Sequence, residues 1–257
     1  MLAALLWDVD GTLAETERDG HRVAFNRAFV ERGLPWHWDI ARYGRLLRVT
    51  GGRERLLAAM ADETDAPVLS SEREALARDL HQLKNHYYAQ SIDEGVIQFR
   101  PGVRALMDEA SARGVRQAIV TTTGRANVDA LLARQFGPDG ARFFDAMVCA
   151  EDVGAKKPDP EAYRRALDAL RLPDVATLAI EDSWAGATAA RAAGVPVIVT
   201  RSVYFPADPI DAAVAIGPGL HARCGWLPAP AARQVERITL DDLVDWHARM
   251  ELVSTPG

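Results

Sequence analysis

Short apolar runs rich in branched residues recur along the chain at Ala4 to Val9, Val115 to Thr121, Phe144 to Ala150, Leu178 to Ile180 and Val195 to Thr200. Unbroken runs of this length fit strands buried on both faces. Stretches with helical signals separate them. Pro101 to Arg113 opens on a first-turn proline and stops before Gly114; Asp159 to Leu170 and Trp184 to Ala193, halted by Gly194, follow the same logic. Strand-helix alternation predicts an α/β fold, a parallel sheet covered by helices on both sides.

One block breaks the alternation. From about Ala14 to Gly95 there is no strand-like run, only helical patterning such as Arg22 to Glu31, Arg53 to Ala61 and Ser71 to Ala89. It reads as an inserted α-helical cap domain (14–96), leaving a discontinuous core of residues 1–13 and 97–257. A cap entered after the first strand sits over the carboxyl edge of the sheet, where open α/β folds bind ligands. The stretch from Arg201 to Arg237, punctuated by Pro206, Pro209, Pro218, Pro228 and Pro230, reads as an irregular surface excursion with one strand at Ala213 to Ile216.

Composition narrows the classes. At 257 residues the chain can bury a full core. A net charge of −6 argues against nucleic acid or an anionic membrane as partner. Two cysteines give no disulfide framework and suit a reducing cytosol; Cys149, inside an apolar run, reads as a small buried hydrophobe. No apolar run approaches the ~20 residues of a membrane span. The N-terminal apolar residues lack a basic flank and meet Asp8 and Asp10 at once, so they read as a strand rather than a signal peptide. The expectation is a soluble cytoplasmic protein acting on a small molecule, with a monomer as the simplest state.

The chemistry starts at Asp8 and Asp10. Residues two apart on a strand point the same way, so both carboxylates would meet a ligand at the sheet edge. Gly11-Thr12 supplies a turn that lets backbone approach phosphate. Thr121-Thr122-Thr123-Gly124 follows the second strand and offers hydroxyls and amides to phosphate oxygens. Lys156-Lys157-Pro158 precedes a helix, where a lysine can neutralise a phosphoryl group. Glu181-Asp182 ends a further strand and suits a hard cation held through oxygen. Each feature alone is an ordinary turn, cap or surface charge. Together they fall past the carboxyl ends of successive strands, and a bound cation makes such a density of carboxylates tolerable.

This set resembles the haloacid dehalogenase-like hydrolase superfamily from Leu2 to Thr200: Asp8-Val9-Asp10-Gly11-Thr12 is similar to its first motif, Thr121 to its second, Lys157 to its third and Glu181-Asp182 to its fourth. The resemblance implies a Rossmann-like core with a helical cap and a phosphatase working through an aspartyl phosphate. Asp8 would be the nucleophile and Asp10, with a raised pKa, the general acid and base. Thr121 and Lys157 would hold the phosphoryl oxygens. Magnesium would be bound by Asp8, Asp182, the Asp10 carbonyl and Glu181. The dehalogenases lack an acid at the position of Asp10, which argues against that chemistry.

Substrate choice falls to the cap. Its stretch from Arg42 to Arg55 carries five arginines opposed only by Glu54, and the Gly51-Gly52 break sets Arg53 at a helix start suited to a second phosphate. Glu15 to Arg22, Ala24-Phe25-Asn26, Tyr43 and Thr50 to Arg55 resemble the CbbY-type branch, which removes the 1-phosphate of xylulose 1,5-bisphosphate, an inhibitor of the Calvin-cycle enzyme Rubisco. That likeness implies Glu17, His21, Tyr43, Gly51, Gly52, Arg53 and Thr122 as substrate contacts, although the branch carries lysine where this chain has Arg53. The alternatives are a β-phosphoglucomutase-like phosphomutase, a phosphoglycolate phosphatase and, outside enzymes, a binding protein on the same fold.

Overall fold

In the computed structural model, which describes residues 1–206, 210 and 213–253 (side chains to 249), six parallel strands form one sheet in the order β3-β2-β1-β4-β5-β6. They are β1 (Ala4–Trp7), β2 (Arg116–Val120), β3 (Ala146–Val148), β4 (Thr177–Glu181), β5 (Val197–Thr200) and β6 (Ala215–Gly217). The first strand lies at the centre, with Leu6 opposite Ala118 of β2 on one side and Ala179 of β4 on the other.

Alternation along the strands divides the core. Leu5, Trp7, Ile119, Leu178 and Ile180 face one apolar layer with α5 (Val103–Ala112), α6 (Arg125–Phe136) and α9 (Leu240–Val253). Ala4, Leu6, Ala118, Val120 and Ala179 face the other, against α7 (Glu161–Leu170) and α8 (Trp184–Ala192). Burial on both faces explains the unbroken apolar runs. Trp7 keeps its polar atom satisfied by donating from Nε1 to Gln117 Oε1 at 3.0 Å.

Between β1 and β2 the described chain is helical: α1 (Arg22–Glu31), α2 (Ile40–Leu46), α3 (Gly52–Ala59) and α4 (Ser70–Asp93). These close on their own cluster of Phe25, Phe29, Trp36, Trp38, Tyr43, Leu56 and Leu80. The segments entering and leaving the block run side by side, with Ala14 bridged antiparallel to Phe99 and Arg100 N donating to Leu13 O at 2.7 Å. The last helix of the block runs four residues past the expected Ala89. Two helices, α2 and α6, carry weak periodic signals and are not among the expected elements; Asp39 starts α2 by accepting from Arg42 N at 2.6 Å.

The stretch after β5 is more built than an excursion over the surface. It supplies the edge strand β6, and Ile210, Leu220 and Trp226 are buried; Pro209 lies outside the described residues. Trp226 stacks on Trp246 of α9 with ring centroids 4.8 Å apart. Asp242 anchors this corner. It is fully buried, accepts from Arg223 at 2.6 and 2.8 Å, accepts from Thr239 N at 2.9 Å, and pairs with Arg233. No helix among the described residues is long and apolar enough to cross a membrane.

Removing one partner of a buried ion pair costs about 3 kcal/mol or more. Asp242→Ala is therefore expected to lower the midpoint of thermal unfolding by roughly 6–12 °C, at roughly 2–4 °C per kcal/mol for a chain of this size. A shift under about 2 °C by calorimetry would show that the corner is held by its tryptophans instead.

Candidate active site

The carboxyl ends of β1, β2 and β4 meet at one ammonium. Lys157, buried, donates from Nζ to Asp8 Oδ1 at 2.8 Å, to Glu181 Oε1 at 2.6 Å and to the Val120 carbonyl at 2.7 Å. Burial alone would lower its pKa, but Asp8 and Glu181 outweigh it and raise it, so the lysine stays charged. Glu181 also accepts from the hydroxyl of Tyr163.

Asp8, Glu181 and Asp182 bring ligand oxygens within 4.8 Å of one another. Burial, then repulsion from Glu181, raises Asp8 to about 7 against the pull of Lys157. Burial and Asp8 likewise push Asp182 well up. Three buried carboxylates against one lysine leave uncompensated charge, and an all-oxygen donor set fits a hard divalent cation. The fit depends on Gly11, held at φ +80°, where an added Cβ would sit 2.1 Å from Asp182 Oδ2.

Asp10 differs from expectation. It accepts hydrogen bonds from the hydroxyls of Thr16 and Thr123, and its Oδ1 lies 3.3 Å from His21 Nε2. Burial pushes its pKa up, but His21 and the two hydroxyls overcome this and hold the carboxyl below its usual range. The raised pKa inferred for a general acid is not what this arrangement produces; in this state Asp10 is ionised.

Two cavities open above these residues. The larger, about 530 Å³, is lined by Asp8, Asp10, Glu17, Gly51, Arg55, Thr122, Lys157 and Asp182, with Leu47, Trp184 and Phe205 as apolar wall. The smaller, about 260 Å³, shares Asp10, Glu17, Gly51, Arg55 and Thr122 and adds His21, Gly52, Arg53, His81, Lys84, Asn85 and Asn127. Thr121, Tyr43 and Glu181 line neither cavity. Thr121 is buried, its hydroxyl accepting from Thr123 N at 3.2 Å, and Thr122 faces the space. Tyr43 stands behind Glu17, donating to it and accepting from Arg55 Nη1 at 2.8 Å.

Arg53 is exposed at the start of α3, on the wall of the smaller cavity. The buried cations there are Arg55 and Lys84, neither of which was singled out from sequence. Among the described residues the one hydrogen bond of Lys84 Nζ is to the Asn85 amide oxygen, at 3.3 Å, and it rests 5.3 Å from the ring centre of Tyr88. Burial lowers it to about 8 despite Glu17 and Asp10. Lys84 falls in the middle of a long, mostly polar helix, where one buried lysine leaves no local signal. Cys149 is buried and its thiol pushed up to about 12 by burial, an inert group.

A family model described as haloacid dehalogenase-like hydrolase matches residues 2–194. The chain belongs to the haloacid dehalogenase-like hydrolases. Within that family it is 46% identical to Protein CbbY of Rhodobacter capsulatus over 212 residues, which is 82% of this chain and 91% of that one. It is 42% identical to the plasmid-encoded Protein CbbY of Cupriavidus necator over 221 residues, 85% of this chain and 86% of that one. Among solved structures it resembles a mutant CbbY from Rhodobacter sphaeroides in complex with xylulose-(1,5)bisphosphate, with a TM-score of 0.77 and 38% identity over 83% of this chain and 92% of that one. The chain is accordingly an enzyme of this hydrolase family, a phosphatase.

The raised Asp8 sets a pH dependence. The folded carboxyl keeps its proton to about pH 7, whereas an unfolded aspartate loses it near 3.8. The folded state binds more protons across that window, so the cation-free protein loses stability as pH rises through it. A divalent cation needs the carboxylate and displaces that proton. Its gain in melting temperature should therefore be larger at about pH 8 than at about pH 5. Equal gains at both would remove Asp8 from the cation site.

Proposed function

We propose that this phosphatase hydrolyses the 1-phosphate of xylulose 1,5-bisphosphate, giving xylulose 5-phosphate and phosphate, with magnesium as its cation. The observation that carries the substrate is the smaller cavity, which offers buried Arg55 and Lys84 and the exposed Arg53 beside the nucleophile's cavity. A molecule with a second phosphate supplies the anion that Lys84 lacks. The likeness to a CbbY solved with that bisphosphate supports the same reading. A two-carbon phosphate ester such as 2-phosphoglycolate would not span the two cavities.

In this reading residues 14–96 act as a cap domain that selects the substrate, and residues 1–13 and 97–257 as the core that reacts. Asp8, Asp182 and the Asp10 carbonyl would hold magnesium, with Glu181 behind them, tied up by Lys157 and Tyr163. Bound there, the cation would offset the negative charge of phosphate and carboxylates.

Asp8 Oδ attacks phosphorus, and the bond to the sugar oxygen breaks. Lys157 stays protonated and stabilises the charge on the phosphoryl oxygens, helped by Thr122 at the cavity wall, with Thr121 bracing that turn behind it. Asp10 would move the proton. A dianionic phosphate beside it raises its pKa, which suits donation to the departing sugar oxygen. Its ionised form, the one His21, Thr16 and Thr123 stabilise here, then accepts the proton of the water that splits the aspartyl phosphate. A phosphomutase would use the same residues, and stoichiometric phosphate release without an added bisphosphate activator separates the two.

Asp8→Asn should abolish phosphate release while leaving the melting temperature close to that of the parent; turnover by that variant would remove the aspartyl phosphate from the mechanism. Lys84→Met should raise KM for xylulose 1,5-bisphosphate by about tenfold or more, the size of one lost charge-assisted contact, and barely change turnover of 2-phosphoglycolate. Arg53→Ala should have the smaller effect of the two, because its side chain is exposed. If phosphate-release assays show equal loss on both substrates, the smaller cavity is not the anchor.

A further inference from the structure

The loop after β5 belongs to the core, yet its Tyr204 and Phe205 pack against the aromatic cluster of the helical block. It starts beside the carboxylates: an added Cβ on Gly11 would lie 3.1 Å from Ser202 Cβ and 2.1 Å from Asp182 Oδ2. Its first residues are pinned. Arg201 N donates to Gly217 O at 2.8 Å, Arg201 O accepts from Arg100 Nη2 at 2.6 Å, and Arg201 Nη1 donates to Phe205 O at 3.2 Å. Two residues past Ser202, Tyr204 meets Tyr43 with ring centroids 5.8 Å apart and covers Gly44 so closely that a Cβ there would be 3.0 Å from its ring. Phe205 packs on the same cluster and faces the larger cavity.

Tyr43 is the residue whose hydroxyl joins Glu17 to Arg55. A ring laid against Tyr43 from the core therefore bears on the orientation of two groups that line both cavities. Phe205, with Leu47 from α2's end and Trp184 from the start of α8, closes the larger cavity with carbon rather than charge. Such a wall gives a sugar bisphosphate no ion pair; it excludes water from the carbons between the two phosphates.

We infer that Tyr204 and Phe205 form a core-borne latch that seats the helical block over the core and sets the preference for substrates long enough to reach it. Tyr204 is a positioning residue acting through Tyr43, and Phe205 a wall against the substrate's carbon skeleton. The inference rests on the two-cavity reading above. A short ester needs only Asp8 and Lys157 to be held and turned over and so depends little on how Tyr43 orients Glu17 and Arg55, whereas a bisphosphate spanning both cavities depends on it.

The test compares the parent enzyme with Tyr204→Ala, Tyr204→Phe and Phe205→Ala on xylulose 1,5-bisphosphate and on 2-phosphoglycolate, with melting temperatures as a check on folding. Tyr204 is half-buried on a loop, so its variants keep the core intact. Tyr204→Ala should raise KM for the bisphosphate by about tenfold, the upper range for one aromatic pair, with kcat/KM for 2-phosphoglycolate within about twofold of the parent. Tyr204→Phe should behave as the parent, because the contacts with Tyr43 and Gly44 are made by the ring. Phe205→Ala should lower the bisphosphate-to-glycolate preference in the same direction. Equal losses on both substrates, no loss on either, or a phenylalanine variant as impaired as the alanine one would overturn the latch. Should the parent cleave sugar monophosphates but not the bisphosphate, the substrate reading fails by itself. The latch is then decided on the best sugar monophosphate: a preference over 2-phosphoglycolate that falls in Tyr204→Ala upholds it, and one that stays overturns it.

Discussion

One ammonium organises the reacting end of this protein. Lys157 spends all three of its protons on oxygens from β1, β2 and β4, the strands at the centre of the sheet. Without it Asp8 and Glu181 would be buried carboxylates facing each other, and the strand ends would repel rather than converge. The cost of collecting the charges is visible in Asp8 and Asp182, which hold their protons where an ordinary aspartate would not. The lysine neutralises part of that charge permanently. The rest is left to a cation, which makes the site's final electrostatics conditional on what it binds.

Asp10 connects this reacting end to the helical block. Its side chain is held by Thr123 of the core and by Thr16 and His21 at the entry to the block, so its protonation answers to both halves. A salt bridge from Lys156 to Glu54 at 3.0 Å spans the same gap from the other side. The neighbouring lysines thus divide the labour, one serving the nucleophile and the other the junction.

Legibility in the sequence followed locality. Strands buried on both faces are unbroken apolar runs, and Asp8 and Asp182 sit beside their carboxyl ends in the chain, so these could be read directly; Lys157, well past β3, was told from Lys156 only by the family resemblance. What the sequence obscured depends on packing across it. Arg53 and Arg55 look alike in a basic run, and only the fold decides that the second is buried against Tyr43 and Glu17. Lys84 is one charged residue among many on α4 until the helix packs its middle turn against Phe25 of α1. The depressed Asp10 carboxyl comes from two threonines and a histidine six, eleven and 113 positions away. The segment after β5 read as irregular because its order comes from a tryptophan pair and a buried aspartate rather than from periodicity.

The central place of β1 bears on how the chain assembles. Of the six strands, β1, which leads into Asp8, is made before the others, yet its partners begin at Arg116 and Thr177. Its apolar residues must wait, unpaired, for more than a hundred others to be made, and closing loops of that length is slow. The inserted helices, whose contacts are mostly with one another, can collapse first and shorten the effective distance between β1 and β2. An arrested or truncated product ending before Glu181 would leave the apolar β1 without its β4 neighbour and lack Glu181 and Asp182, so activity and resistance to aggregation arrive together when β4 docks.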